Sequence, residues 1–264
     1  MFKEKTSELA KGSISYFTGG SGRPLIHLHG ADGVRPNAGL EALAENLSLY
    51  MPVLPGFDGT SEIEGIASME TLADLVADFI DKEIGETVDV LGLSFGGWLG
   101  AWLAARHPRK VGQLCLANPA GFHPDSMAAP SSDPALRKQQ MYAYPDRLPP
   151  ETKPADVLAK NRAMLGRYHG KTSFDADLAA QLSKIECLTL IMHGTRDGRV
   201  PEEAVQLLKR DIPRSHLIYI YDAAHSVETD QPERFAHLVS DFMERAEAFL
   251  VNQGPAGDRP QQVL

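Results

Sequence analysis

Cysteine is scarce in this chain, long basic runs are missing, and no stretch approaches about 18 uninterrupted apolar residues. Each shortage removes a class of protein. With only Cys115 and Cys187 among 264 residues, a disulfide scaffold is excluded and a thiolate metal cluster lacks ligands, so both thiols read as reduced and buried. The formal net charge of −9 disfavours a nucleic-acid backbone or an anionic membrane as the main partner, and a small-molecule substrate is the expected one. The start of the chain, Met1 to Glu8, mixes acids and bases with no apolar segment, so the expected location is the cytoplasm. Histidines that precede glycine, His29 and His193, have no second carboxylate or thiol close by in sequence. Neither a metal nor a cofactor is expected from that pattern, and both residues read as structural histidines.

What is present is an alternation of short β-rich runs with helical periodicity, which predicts an α/β fold with a mostly parallel sheet flanked by helices. Strands are expected over 13–17, 25–29, 49–54, 88–93, 111–117, 188–192 and 216–221, and helices over 37–47, 68–83, 95–106 and 232–250. Residues 122–185 carry no convincing strand and many of the prolines. They read as a helical cap inserted into a core made of 1–121 and 186–251, with 252–264 as a flexible tail. The insertion holds nine Lys or Arg against seven Asp or Glu, so it is less acidic than the rest. Val157, Leu158, Asn161, Met164, Leu165 and Tyr168 fall on one helical stripe. Asn161 interrupts that stripe, either as a core amide or as a group facing a pocket. Together with Phe122, Met164 and Tyr168 it is the candidate substrate-pocket set.

The chemistry is carried by Gly92-Leu93-Ser94-Phe95-Gly96. A G-x-S-x-G string arises by chance in roughly one chain in ten of this composition, so the pattern alone decides little. Its context decides more, because an apolar strand ends at Leu93 and a helical stretch begins at Phe95. A serine on such a turn projects its hydroxyl above the sheet edge, with the positive end of a helix beside it. Serine is a weak nucleophile and needs a base that is itself oriented by a third group. Asp197, in His193-Gly194-Thr195-Arg196-Asp197, and His225, in Asp222-Ala223-Ala224-His225, each follow a predicted strand. Both therefore belong to the edge where open α/β sheets place their sites. The tetrahedral oxyanion would take the backbone N–H of Phe95 and of a residue in the His29-Gly30-Ala31-Asp32-Gly33 turn, Ala31 being the candidate. The Asp32 carboxylate is expected to turn away from developing negative charge.

With the H-G turn at 29–30, the P-G-F turn at 55–57 and the order nucleophile, acid, histidine, the chain resembles the α/β-hydrolase-fold serine hydrolases that carry a small helical cap. The resemblance implies a carboxylesterase-like enzyme. Ser94 separates it from the haloalkane dehalogenase and epoxide hydrolase branches, which use an aspartate nucleophile. Some members place the acid one strand earlier, where this chain has Asn118. A carbon-carbon bond hydrolase acting on aromatic ring-cleavage products is the alternative, favoured by Asn118-Pro119-Ala120-Gly121 and Trp98. Leu93 and Ser226 stand where many such enzymes carry asparagine and tryptophan. A ligand sensor with little turnover is the reading from a different class.

Overall fold

The computed structural model describes residues 2–85, 87–124, 133–148, 151–170 and 172–249. The strands are β1 (Lys3–Leu9), β2 (Gly12–Gly19), β3 (Arg23–Leu28), β4 (Leu47–Pro52), β5 (Val88–Leu93), β6 (Val111–Ala117), β7 (Leu188–Gly194) and β8 (Ser215–Ile220). The helices are α1 (Ala38–Leu43), α2 (Met69–Glu83), α3 (Phe95–Arg106), α4 (Pro134–Met141), α5 (Ala155–His169), α6 (Ala176–Ala179), α7 (Glu202–Asp211), α8 (Val227–Asp230) and α9 (Pro232–Arg245). The strands make one sheet in the order β1-β2-β4-β3-β5-β6-β7-β8. The β1–β2 and β2–β4 pairs are antiparallel and the remaining pairs parallel.

That order sets where a site can lie. From β3 the chain steps to β4 on one side, then returns to β5 on the other side of β3. The turns leaving β3 and β5 therefore diverge at a topological switch point and open a crevice beyond the carboxyl ends of the strands. Helix α3 fills the space behind this crevice: every residue from Phe95 to Ala105 is buried, and it packs on β3, β5 and β6. Helix α2 starts where Ser68 and Thr71 form a reciprocal capping box, which satisfies two of the N–H groups a helix start leaves open.

Strand β1 was not among the expected elements. Its sequence KEKTSEL buries only Ser7, so it lacks the apolar alternation by which a half-buried strand is read, and its charged side chains suit an exposed sheet edge. Helix α1 stops at Leu43 instead of running to 47 because Leu47 opens β4. The expected tail, 252–264, lies outside the described residues.

Between β6 and β7 the described residues form helices α4, α5 and α6 and no strand of the sheet, apart from an isolated bridge between Phe122 and Phe174. The seat of this segment is Asp175. One of its carboxylate oxygens accepts from the indole N–H of Trp98 at 2.7 Å and of Trp102 at 2.8 Å, and the other caps α6 through Leu178 N–H at 2.9 Å. Trp98 and Trp102 are the two tryptophans of the chain, and both are buried. Asp175→Ala leaves both indole donors and a helix start unsatisfied, so a loss of about 3 kcal/mol or more in unfolding free energy is expected. Urea denaturation followed by tryptophan fluorescence reads the same two side chains. A loss below about 1 kcal/mol would show that water replaces the carboxylate without cost.

Candidate active site

Ser94 directly follows β5 in a conformation that most residues avoid, φ 54° and ψ −112°, and such strain persists only where surrounding packing imposes it. The flanking glycines make the turn possible. A Cβ on Gly92 would lie 2.2 Å from the Gly96 carbonyl oxygen, and one on Gly96 would lie 1.9 Å from that of Leu28. The turn is tied on both sides: Ser94 N–H donates to Ala117 C=O at 2.9 Å, and Ser94 C=O accepts from Trp98 and Ala120 N–H at 3.0 Å each. Phe95 opens α3, and its N–H donates to no protein group among the described residues.

His225 Nδ1 meets Asp197 Oδ2 at 2.9 Å. Both side chains are buried, with exposures of 4% and 0%. The second oxygen of Asp197 accepts from Arg199 and Val200 N–H at 2.6 and 3.1 Å. Burial alone would raise the Asp197 carboxyl. The charge and hydrogen bond of His225, with the two backbone donors, outweigh that and hold it below the ordinary carboxylate value. An ionised Asp197 fixes the imidazole with its proton on Nδ1, which leaves Nε2 as the acceptor.

Asn118, fully buried at φ 42°, brings these loops together. Its amide donates to His225 C=O at 2.6 Å and Ala224 C=O at 3.1 Å, while its oxygen accepts from Gly194 N–H at 3.0 Å. Since Ser94 is bonded to Ala117, a single residue step joins the serine turn to the histidine loop. Asp197 and His225 are in direct contact; the Ser94 hydroxyl makes no hydrogen bond to the imidazole among the described residues. From the segment between β6 and β7, Met141 C=O accepts Ser226 N–H at 2.9 Å, and Asp230 holds Ala143 N–H at 2.9 Å and Ala224 N–H at 2.8 Å.

The 30–33 turn closes through Gly33 N–H to Gly30 C=O at 3.1 Å, and a Cβ on Gly30 would lie 3.7 Å from that of Ser94. His29 Nε2 accepts from Leu54 N–H at 3.2 Å, so its Nδ1 carries the proton and donates to Gly30 C=O at 2.8 Å. Burial pushes this histidine down to about 4. It is neutral and structural. His193 is also held low by burial, edge-on to Tyr219 with centroids 5.9 Å apart. The Asp32 carboxylate pairs with Arg162 at 3.3 Å.

The four candidate pocket residues divide. Tyr168 and Phe57 stack at 6.4 Å and 7°, and Phe95 lies 5.8 Å from Phe57 and 6.1 Å from Tyr168; with buried Met164 they make an apolar patch around the residue after Ser94. The Tyr168 hydroxyl is occupied by Pro55 C=O at 2.8 Å. Phe122 is buried edge-on to Phe174, 6.1 Å away. Asn161 is fully buried, and its amide is engaged entirely by Asp32 C=O, Asp58 Oδ1 and Asp58 N–H at 2.8 to 3.1 Å. Both side-chain polar atoms of Asn161 thus serve the joint between α5 and two loops of the core. Asp58, Lys153, Asp175 and Asp230 carry no motif of their own, and sequence reasoning missed them. Among the described residues no three His, Cys, Asp or Glu side chains are arranged to hold a metal ion, and no helix is long and apolar enough to cross a membrane.

A profile of the alpha/beta hydrolase family matches residues 25–238. The chain belongs to that family. The hydrolase is 29% identical over 258 residues, 87% of its length and 90% of the relative's, to a 2-hydroxymuconate semialdehyde hydrolase of Pseudomonas putida. It is 32% identical over 194 residues, 64% of its length and 73% of the relative's, to a pimeloyl-[acyl-carrier protein] methyl ester esterase of Neisseria meningitidis serogroup B. Among solved structures, a serine hydrolase involved in carbazole degradation superposes with a TM-score of 0.76 at 20% identity, over 92% of the hydrolase and 99% of that chain. At that identity the likeness shows the α/β-hydrolase fold alone.

Proposed function

We propose that this hydrolase cleaves small-molecule carboxylic esters through Ser94, His225 and Asp197. The observation that carries the reading is the strained Ser94 turn standing at the same sheet edge as the hydrogen-bonded Asp197–His225 pair. Ser94 Oγ bonds to the ester carbon as its proton passes to His225 Nε2 and the carbonyl electron pair moves onto oxygen. Phe95 N–H and Ala31 N–H are the donors assigned to that oxyanion, each worth about 3 kcal/mol of transition-state stabilisation in sites of this type. Collapse expels the alkoxide, which leaves as the alcohol with the proton from His225. Water then attacks the acyl-enzyme and gives His225 a proton, which returns to Ser94 as the carboxylic acid departs. Approach of Ser94 Oγ to Nε2 on substrate binding fits a ligand-free site, where catalytic hydrogen bonds are often not yet formed.

The relative named for 2-hydroxymuconate semialdehyde, aligned over 87% of this chain, favours a second reading, hydrolysis of a carbon-carbon bond in a vinylogous diketone acid. Side-by-side kinetics decide. Short to medium acyl aryl esters are expected to exceed the diketone acid in kcat/KM by at least about ten-fold. The reverse order by a similar factor would replace the ester reading. Labelling of Ser94 by a fluorophosphonate without turnover of either substrate would favour the sensor.

A further inference from the structure

The turn that holds Ala31 is gripped from the insertion. Asp32 C=O takes no part in closing the turn; it accepts from Lys153 Nζ at 2.9 Å and Asn161 Nδ2 at 3.1 Å. The same two donors meet Asp58 Oδ1 at 2.7 and 2.8 Å. The other Asp58 oxygen accepts from Val34 N–H at 2.8 Å, just past the turn. Burial would raise the Asp58 carboxyl, but its hydrogen bonds from Lys153 and Asn161 and the Lys153 charge hold it below the ordinary value.

Two planar peptide units connect this grip to Ala31. Asp32 C=O and Gly33 N–H belong to one trans peptide, so fixing the carbonyl on Lys153 and Asn161 aims the N–H the opposite way, at Gly30 C=O. Gly30 C=O and Ala31 N–H belong to the next such unit. With that carbonyl held by Gly33 N–H and His29 Nδ1, Ala31 N–H faces away from both.

We propose that Lys153 and Asn161 are positioning residues that aim the Ala31 N–H at the oxyanion through the Asp32 and Gly30 carbonyls, so that docking of α5 and assembly of the oxyanion site are one event. The proposal rests on the Ser94 ester reading. It makes Asn161 and Lys153 determinants of rate, with no contact to substrate.

The test is the steady-state kinetics of Lys153→Met, Lys153→Arg and Asn161→Ala on one aryl ester, with inhibition by a trifluoromethyl ketone whose adduct mimics the tetrahedral intermediate. Loss of a whole oxyanion donor costs roughly 10²–10³-fold, so a misaimed donor is expected to lower kcat by at least about ten-fold with KM within about two-fold. Ketone inhibition should weaken in parallel, and Lys153→Arg, which keeps the charge and the donor, should recover most of the rate. A merely structural role would lower the melting temperature and leave kcat and ketone affinity of the folded protein unchanged. Should Asn161→Ala fail to fold, Lys153→Met decides, since the Lys153 side chain is 18% exposed. Unchanged kcat, or a kcat loss with unchanged ketone affinity, overturns the proposal. Failure of the underlying reading looks different: the unmodified protein itself would fail to turn over the aryl ester, whatever the variants do.

Discussion

Ser94→Ala is expected to lower ester turnover by at least about 10⁴-fold while the protein keeps its fold. Alanine retains the Cβ around which the turn is packed, and the backbone bonds to Ala117, Trp98 and Ala120 do not involve the hydroxyl. Among the described residues that hydroxyl holds no other group in place, so a change in melting temperature within about 2 °C is expected. Activity and melting are measured on one preparation, with fluorophosphonate labelling as a third readout. Turnover that survives in a folded, unlabelled Ser94→Ala protein would remove the nucleophile assignment and with it the proposed mechanism.

The parts of this molecule legible in its sequence are those governed by local chemistry. Strands β5 and β6 and helix α3 fall on the expected residues because each is a predominantly apolar stretch bounded by a turn signal, and the glycines around Ser94 announce a close approach that only they permit. Strand β1 was illegible because an edge strand needs no apolar face. The polar hubs were illegible for another reason. Asp175 lies 73 residues from Trp102 in the chain, and Asp58 lies 103 residues from Asn161. A buried carboxylate and a surface carboxylate look alike until the fold supplies the donors. Asn161 shows the same limit: its position on an apolar stripe was readable, but whether the amide met substrate or backbone depended on Asp32 and Asp58.

Asp197→Asn is expected to reduce kcat by roughly 10³–10⁴-fold, because an amide that donates toward His225 Nδ1 favours the tautomer with the proton on Nε2, where it cannot accept from Ser94. The fold should survive, since the amide oxygen can still accept from Arg199 and Val200 N–H. Some members of the fold carry the acid one strand earlier, which from sequence makes Asn118→Asp a plausible partial rescue. The structure reverses that expectation. The Asn118 amide donates to the carbonyls of Ala224 and His225 at 3.1 and 2.6 Å, and in Asn118→Asp a carboxylate oxygen would face both of them. Such burial costs several kcal/mol unless the carboxyl takes up a proton, and a protonated carboxyl no longer stabilises an imidazolium. The double variant Asp197→Asn/Asn118→Asp is therefore expected to be no more active than Asp197→Asn alone and to melt at a lower temperature. Kinetics and melting of the two proteins side by side test this. A recovery of ten-fold or more would mean that residue 118 reaches the imidazole as an acid, and that its role is not the tethering of the histidine loop.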